Sequence, residues 1–521
     1  IRRPPRSTQS RSSAASDVYK RQTLASQSDI DFCGPIGADP ASAPGAITIT
    51  AAADVTAHST IEAASLVQLA GSGTTTLADD VTTTASEGLD VAASRIVLDG
   101  LSITASQSGI VRFSGSVELT GPVQIDAEGT ISFEGLLSSP NGAAAPLSLA
   151  SDADIFFLDA VGAGTDCALG PITVAGAVNV QAGATIEAAS LVQLAGFGTT
   201  VFAGDVTTTA PEGLDIDTRQ IVLDGLAITA TGVGRVRFGG PVELAGDTAI
   251  QAAGPIRFEG ALSSPAGAAM SLALDSEADI DFCGPVGLGP DGALGAILIA
   301  KAADVTAHST VEAASLVQLA GSGKTTLADD LTTTAAEGVD ITSTLIVLDG
   351  LSIAASGGGL VRLNGAVDLA GPAAIDGSGG ITFEKTVVSS GGAARNLILA
   401  SDGNIIFHGA VGLEPGSQLG ALTITSAVDV TACFAIKAAS LVQSTGFGTT
   451  TLAGDVTTTA SQGIDISAGL IVLGSSDPHG LSLLNSCAGL VRFDGPVELR
   501  SDVSIETADG QILFTAAATL D

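Results

Sequence analysis

The chain has 521 residues, of which 65 are glycine, 45% are hydrophobic and only 14% are charged, and its formal net charge is −35. Such acidity repels nucleic acid and anionic membrane surfaces, and no apolar run is long enough to insert into a bilayer. Trp is absent and Phe supplies 16 of the few aromatics, so a core here must be built mainly from Val, Ile, Leu and Ala.

Residues 1–22 stand apart from the rest. They hold six of the 20 basic residues and the single Tyr, and they lack the apolar stretch of a signal peptide. They look like translated sequencing-adapter read-through and are expected to lie outside the fold as a non-native leader. Without them 14 Lys+Arg face 54 Asp+Glu, a net charge of −40.

From residue 23 onward the pattern alternates at period two in short runs: Ile47-Thr48-Ile49-Thr50, Ile110-Val111-Arg112-Phe113, Val117-Glu118-Leu119, Ile131-Ser132-Phe133-Glu134 and Leu147-Ser148-Leu149. Runs of this kind, rich in β-branched residues and separated by Gly, Asn, Asp, Pro or Ser, read as strands with one inward face. The Ala-rich pieces at Ala51-Ala52-Ala53 and Ala143-Ala144-Ala145 lack caps and an i, i+4 stripe, so no helix is expected there.

These runs recur. Ile61-Glu62-Ala63-Ala64-Ser65-Leu66-Val67-Gln68 returns at Ile186, at Val311 and, with Lys437 for the Glu, at Ile436, 125 residues apart each time. The last copy carries five extra residues between Gly474 and Gly480, where insertions belong on a loop. A fixed period of this kind denotes tandem units that bury their apolar faces against their neighbours. The expected fold is therefore all-β: an elongated, right-handed parallel β-helix (β-solenoid) over residues 23–521. Its four tandem repeats of ~125 residues run from 27–151, 152–276, 277–401 and 402–521, the last incomplete. If 125 residues make about six coils of about 20 residues, the rod is about 115 Å long.

No residue is assigned a catalytic, cofactor-binding or metal-binding role. Gly321-Ser322-Gly323-Lys324-Thr325 imitates the end of a phosphate-binding loop, but Gln318 stands where its first Gly should be and no helix start follows. Asp80, Asp205, Asp330 and Asp455 share one phase, and Asp90, Asp215, Asp340 and Asp465 another. Both sets read as solvated turn residues rather than Ca²⁺ ligands, since the glycine-rich calcium nonapeptide is absent. Arg112, Arg237, Arg362 and Arg492 recur six residues before Glu118, Glu243, Asp368 and Glu498, and read as exposed ion pairs along the strand. The five cysteines, Cys33, Cys167, Cys283, Cys433 and Cys487, form no CxxC spacing and read as small buried apolar residues. His58 and His308 share a phase that Gly183 and Cys433 occupy in the other copies, so no repeated catalytic histidine emerges.

The stretch Ile405-Ile406-Phe407-His408-Gly409-Ala410-Val411-Gly412, followed by Leu419–Thr425, Thr449–Leu452 and Val456–Thr459, resembles the large β-strand-repeat exoproteins of bacteria. These are similar to filamentous-haemagglutinin-like adhesins and autotransporter passengers. The resemblance implies a parallel β-helix exported to the cell surface or outside the cell, although no secretion signal stands in this sequence, which reads as an internal fragment. The expected role is a non-enzymatic rod or stalk, or an adhesion surface for host-cell, neighbouring-cell or matrix ligands, with no cofactor. The alternatives are a β-helix enzyme acting on polysaccharide and an ice- or Ca²⁺-binding solenoid, the former short of His and stacking aromatics, the latter offering Thr82-Thr83-Thr84 and its copies.

Overall fold

A computed structural model describes residues 21–37, 44–289, 292–414, 416–474 and 480–520. Most of the leader and the insertion at 475–479 lie outside the described residues, and Gln22, on the leader side of the expected boundary, opens the first strand, Gln22–Ala25. The chain winds into a parallel β-solenoid of about 22 turns. Helix is confined, among the described residues, to one short 3-10 turn at Pro140–Gly142.

Each coil contributes three short strands, so three parallel ladders run the length of the stack. The first passes from Gln22–Ala25 through Ala46–Ala51 and Ser65–Gln68 into the start of Leu89–Leu98. The second begins at Ile30–Phe32 and continues through Val55–Ala57 and Thr74–Leu77. The third begins at Ile36 and continues through Ile61–Ala63, Val81–Thr83 and Ser102–Ala105. Some strands bend round a corner and serve two ladders. In Val339–Leu348 the first half pairs with Leu316–Gln318 and the second with Lys324–Leu327.

The period-two alternation produces this directly, because successive side chains point to opposite faces of a strand. Val123–Ala127 is buried at Val123, Ile125 and Ala127 and exposed between them. The inward residues of neighbouring coils stack on like residues: Phe113, Phe133 and Phe157 lie ring on ring with centroids 5.5 Å apart, as do Phe238, Phe258 and Phe282 at 5.3 and 5.5 Å. The corners carry a repeated polar device, in which the buried Thr75, Thr200, Thr325 and Thr450 hydroxyls donate to Gln68, Gln193, Gln318 and Gln443 at 2.8–2.9 Å.

The coil is longer than expected, and this changes what the period means. Coils run from 19 residues, Ile47 to Leu66, to 27, Val456 to Leu483. Six steps up the third ladder from Ile61 arrive at Gln193, seven residues past Ile186. The 125-residue spacing therefore covers 17 strand positions, which at three per coil is five coils and two-thirds of a sixth. Ile61 lies on the third ladder, Ile186 on the second, Val311 on the first and Ile436 on the third again. The count falls a third of a coil short of six, since corner residues lengthen each turn beyond its three strands, so the copies are not related by whole turns. At about 4.8 Å per coil, 22 turns span about 106 Å.

Candidate interaction surface

The outward strand positions carry the recurring charges, and they pair in a direction other than the expected one. Arg237 sits between Asp215 on the coil before and Glu259 on the coil after, at 2.7 and 2.6 Å. Arg362 likewise bridges Asp340 and Glu384 at 3.1 and 2.9 Å, and Arg112 lies 3.5 and 3.2 Å from Asp90 and Glu134. Arg492 reaches Asp465 at 2.7 Å and Asp494 at 3.5 Å. The along-strand pairs read from the sequence are not formed; Glu118 instead engages Arg95 on the previous coil. Residues opposite one another in parallel strands are close neighbours, whereas the residue six positions on lies past a corner, on a different ladder, as Glu118 does relative to Arg112.

Asp90, Asp215, Asp340 and Asp465 are thus strand residues rather than solvated turns. Their settings differ. Burial pushes the Asp90 carboxyl above its ordinary value, with Arg112 opposing and Glu134 adding to the rise. Glu259 is held below its ordinary value by hydrogen bonds from Arg237, against some burial and helped by the nearby Arg237 and Arg257 charges. The second acidic set does lie at turns. Asp80, Asp205, Asp330 and Asp455 each accept a backbone N–H from the next coil, of Ser102, Ala227, Ser352 and Ser482, at 2.7–2.8 Å.

Lys324 opens the strand Lys324–Leu327, its N–H donating to Asp304 Oδ1 at 2.6 Å, so the loop imitating a phosphate site runs into a ladder rather than a helix. The grooves between coils are shallow and open; one on the first ladder is lined by Thr199, Arg219, Gln220, Glu243 and Ser263. Apolar side chains stand out at the corners, with Phe197 and Phe447 exposed by 74% and 73%. Among the described residues no three His, Cys, Asp or Glu side chains converge as a metal cage, and no helix is long and apolar enough to cross a membrane.

All five cysteines are free, and none is fully buried. Reading them as core residues is corrected: each sits on an outward position or at a turn. The structure also joins two phases that look unrelated in the sequence. Phe32 pairs with Ala57, Phe282 with Ala307 and Phe407 with Ala432, so the next residues, Cys33 and His58, Cys283 and His308, His408 and Cys433, are neighbours on adjacent coils. The signal was a spacing of 25 residues between Cys and His, one coil length, in three places.

Comparison with protein-family models, with curated proteins and with solved structures found no match.

Proposed function

We propose that this chain is a structural segment of an exported bacterial surface protein, a stiff rod that spaces or presents other regions, without enzymatic activity of its own. The observation that carries the reading is the charge arrangement over a continuous apolar stack. The recurring arginines are each engaged by two carboxylates on their own or neighbouring coils, so the positive charges are paired and the strand faces stay polar and acidic. Such exposed pairs contribute under about 1 kcal/mol each, but they stop a strand face from pairing with another rod. The resemblance to filamentous-haemagglutinin-like and autotransporter-passenger segments supports the same reading. We further take the solenoid to be right-handed, as parallel crossover connections overwhelmingly are, and its units to be the four ~125-residue copies.

A second version, adhesion by the rod itself to host-cell, neighbouring-cell or matrix ligands, is favoured by the exposed Phe197 and Phe447 at equivalent corners. Binding of purified 23–521 to glycan and cell arrays separates the two. A pure spacer is silent on both; saturable binding lost in Phe197→Ser with Phe447→Ser assigns adhesion to those corners.

A further inference from the structure

Three of the four histidines in the chain lie among the described residues, and each is next to a cysteine on the adjoining coil. In each case the backbone N–H of the later residue donates to the carbonyl just before the earlier one: His58 to Phe32 at 3.1 Å, His308 to Phe282 at 3.0 Å, and Cys433 to Phe407 at 3.0 Å. The paired side chains thus leave the stack side by side, about 4.8 Å apart at their origins. All six residues are exposed or half-exposed.

The internal copies supply a comparison of their own. At the two equivalent positions they read Cys33 and His58, Leu158 and Gly183, Cys283 and His308, His408 and Cys433. Where one partner is missing both are missing, and where the order is reversed both are exchanged. Packing does not account for this, because the positions are outward and Leu with Gly serves equally well in the second copy. A demand for one thiol and one imidazole, indifferent to which coil bears which, does account for it.

We propose that these pairs are two-ligand surface sites for a borderline-soft divalent cation of the Zn²⁺ class, three per chain. Thiolate and neutral imidazole are the donors such ions prefer, at about 2.3 and 2.0–2.1 Å. At a tetrahedral angle those bond lengths place sulfur and nitrogen about 3.6 Å apart, and Cys433 Sγ stands 3.9 Å from His408 Nδ1. In the Cys283 site Asp281 Oδ1 lies 4.0 Å from His308 Nε2, where a carboxylate can orient a metal-bound imidazole; Asp31 holds the same position beside Cys33 and His58. Water or a donor from another molecule completes the coordination sphere. Because the thiol must lose its proton, binding strengthens as pH rises.

The test is titration of the reduced full-length chain with Co²⁺, read by the thiolate-to-cobalt charge-transfer absorption and reversed by Zn²⁺. Three equivalents per chain are expected. Cys433→Ser and His408→Ala should each remove about one third of the signal, while Cys167→Ser and Cys487→Ser, at cysteines without a histidine neighbour among the described residues, should leave it intact. Leu158→Cys with Gly183→His should add a fourth equivalent; a Cβ at Gly183 meets nothing nearer than 3.5 Å. Circular dichroism checks that each variant keeps its strands. Absence of a thiolate band at saturating Co²⁺, or a band that survives His58→Ala, His308→Ala and His408→Ala together, would overturn the proposal.

Discussion

At the scale of single residues, the stack separates inward from outward positions sharply. Phe258 is buried between Phe238 and Phe282, so Phe258→Ala should cost about 3–5 kcal/mol and lower the melting temperature clearly. Phe197, exposed at its corner and matched by Ser72 and Ser322 in other copies, should tolerate Ser without a measurable change. The carboxylates divide in the same way. Glu259, whose pKa is lowered on folding, stabilises the fold above its unfolded pKa, and this contribution is lost as pH falls through the folded value. Glu259→Gln should therefore lower the melting temperature at pH 7 and matter less in acid. Asp90, whose pKa is raised, stabilises only below its unfolded value and loses that contribution as pH rises through the folded one. Asp90→Asn should thus be neutral or stabilising at pH 7, and thermal melts of the two variants between pH 3 and pH 7 should diverge in opposite senses.

At the scale of the element, such short strand segments can stack only if the corners between them close tightly. Gly88, Gly213, Gly338 and Gly463 hold φ between 57° and 64° at one such corner. A Cβ on Gly213 would lie 2.0 Å from the carbonyl oxygen of Arg235 on the next coil. Both the left-handed backbone and the close approach exclude larger residues, so Gly213→Ala should destabilise by more than about 1 kcal/mol. The outward Gly176, with open space around its Cβ position, is the matched control, and the difference between their melting temperatures measures the corner.

At the scale of the whole molecule, the 17-strand spacing turns each recurring feature by a third of a turn. The Asp-Arg-Glu group centred on Arg112 lies on the first ladder, that on Arg237 on the third and that on Arg362 on the second. The Thr82, Thr207 and Thr332 clusters shift likewise, on the third, second and first ladders. No face repeats its chemistry at 125-residue intervals. Deleting Ala153 to Glu277 should nevertheless leave a folded, soluble rod, because every strand after the junction meets a neighbour equivalent to the one it lost. The rod should shorten by about 27 Å, five and two-thirds coils at about 4.8 Å, with the remainder turned by a third. A 115-residue deletion from the same point should set strand against turn, expose inward Val, Ile and Leu, and aggregate. Small-angle scattering and soluble yield compare the two; equal behaviour would mean that the period marks no stacking unit.

The strands, their inward faces, the near absence of helix and the parallel solenoid were legible from the sequence alone. Alternation such as Val123-Gln124-Ile125-Asp126-Ala127 and turn glycines act locally, and identical phrases at a constant spacing leave little choice but stacking. Which residues become neighbours was settled only when the coil closed. Coil length depends on corner geometry and loop content, which vary from 19 to 27 residues without disturbing the strand pattern. Closure of the coil set Asp90 and Glu134 on either side of Arg112, while Glu118, six residues along the chain, went to a different ladder. The same closure set Cys33 beside His58, and decided that copies 125 residues apart look out from different sides of the rod.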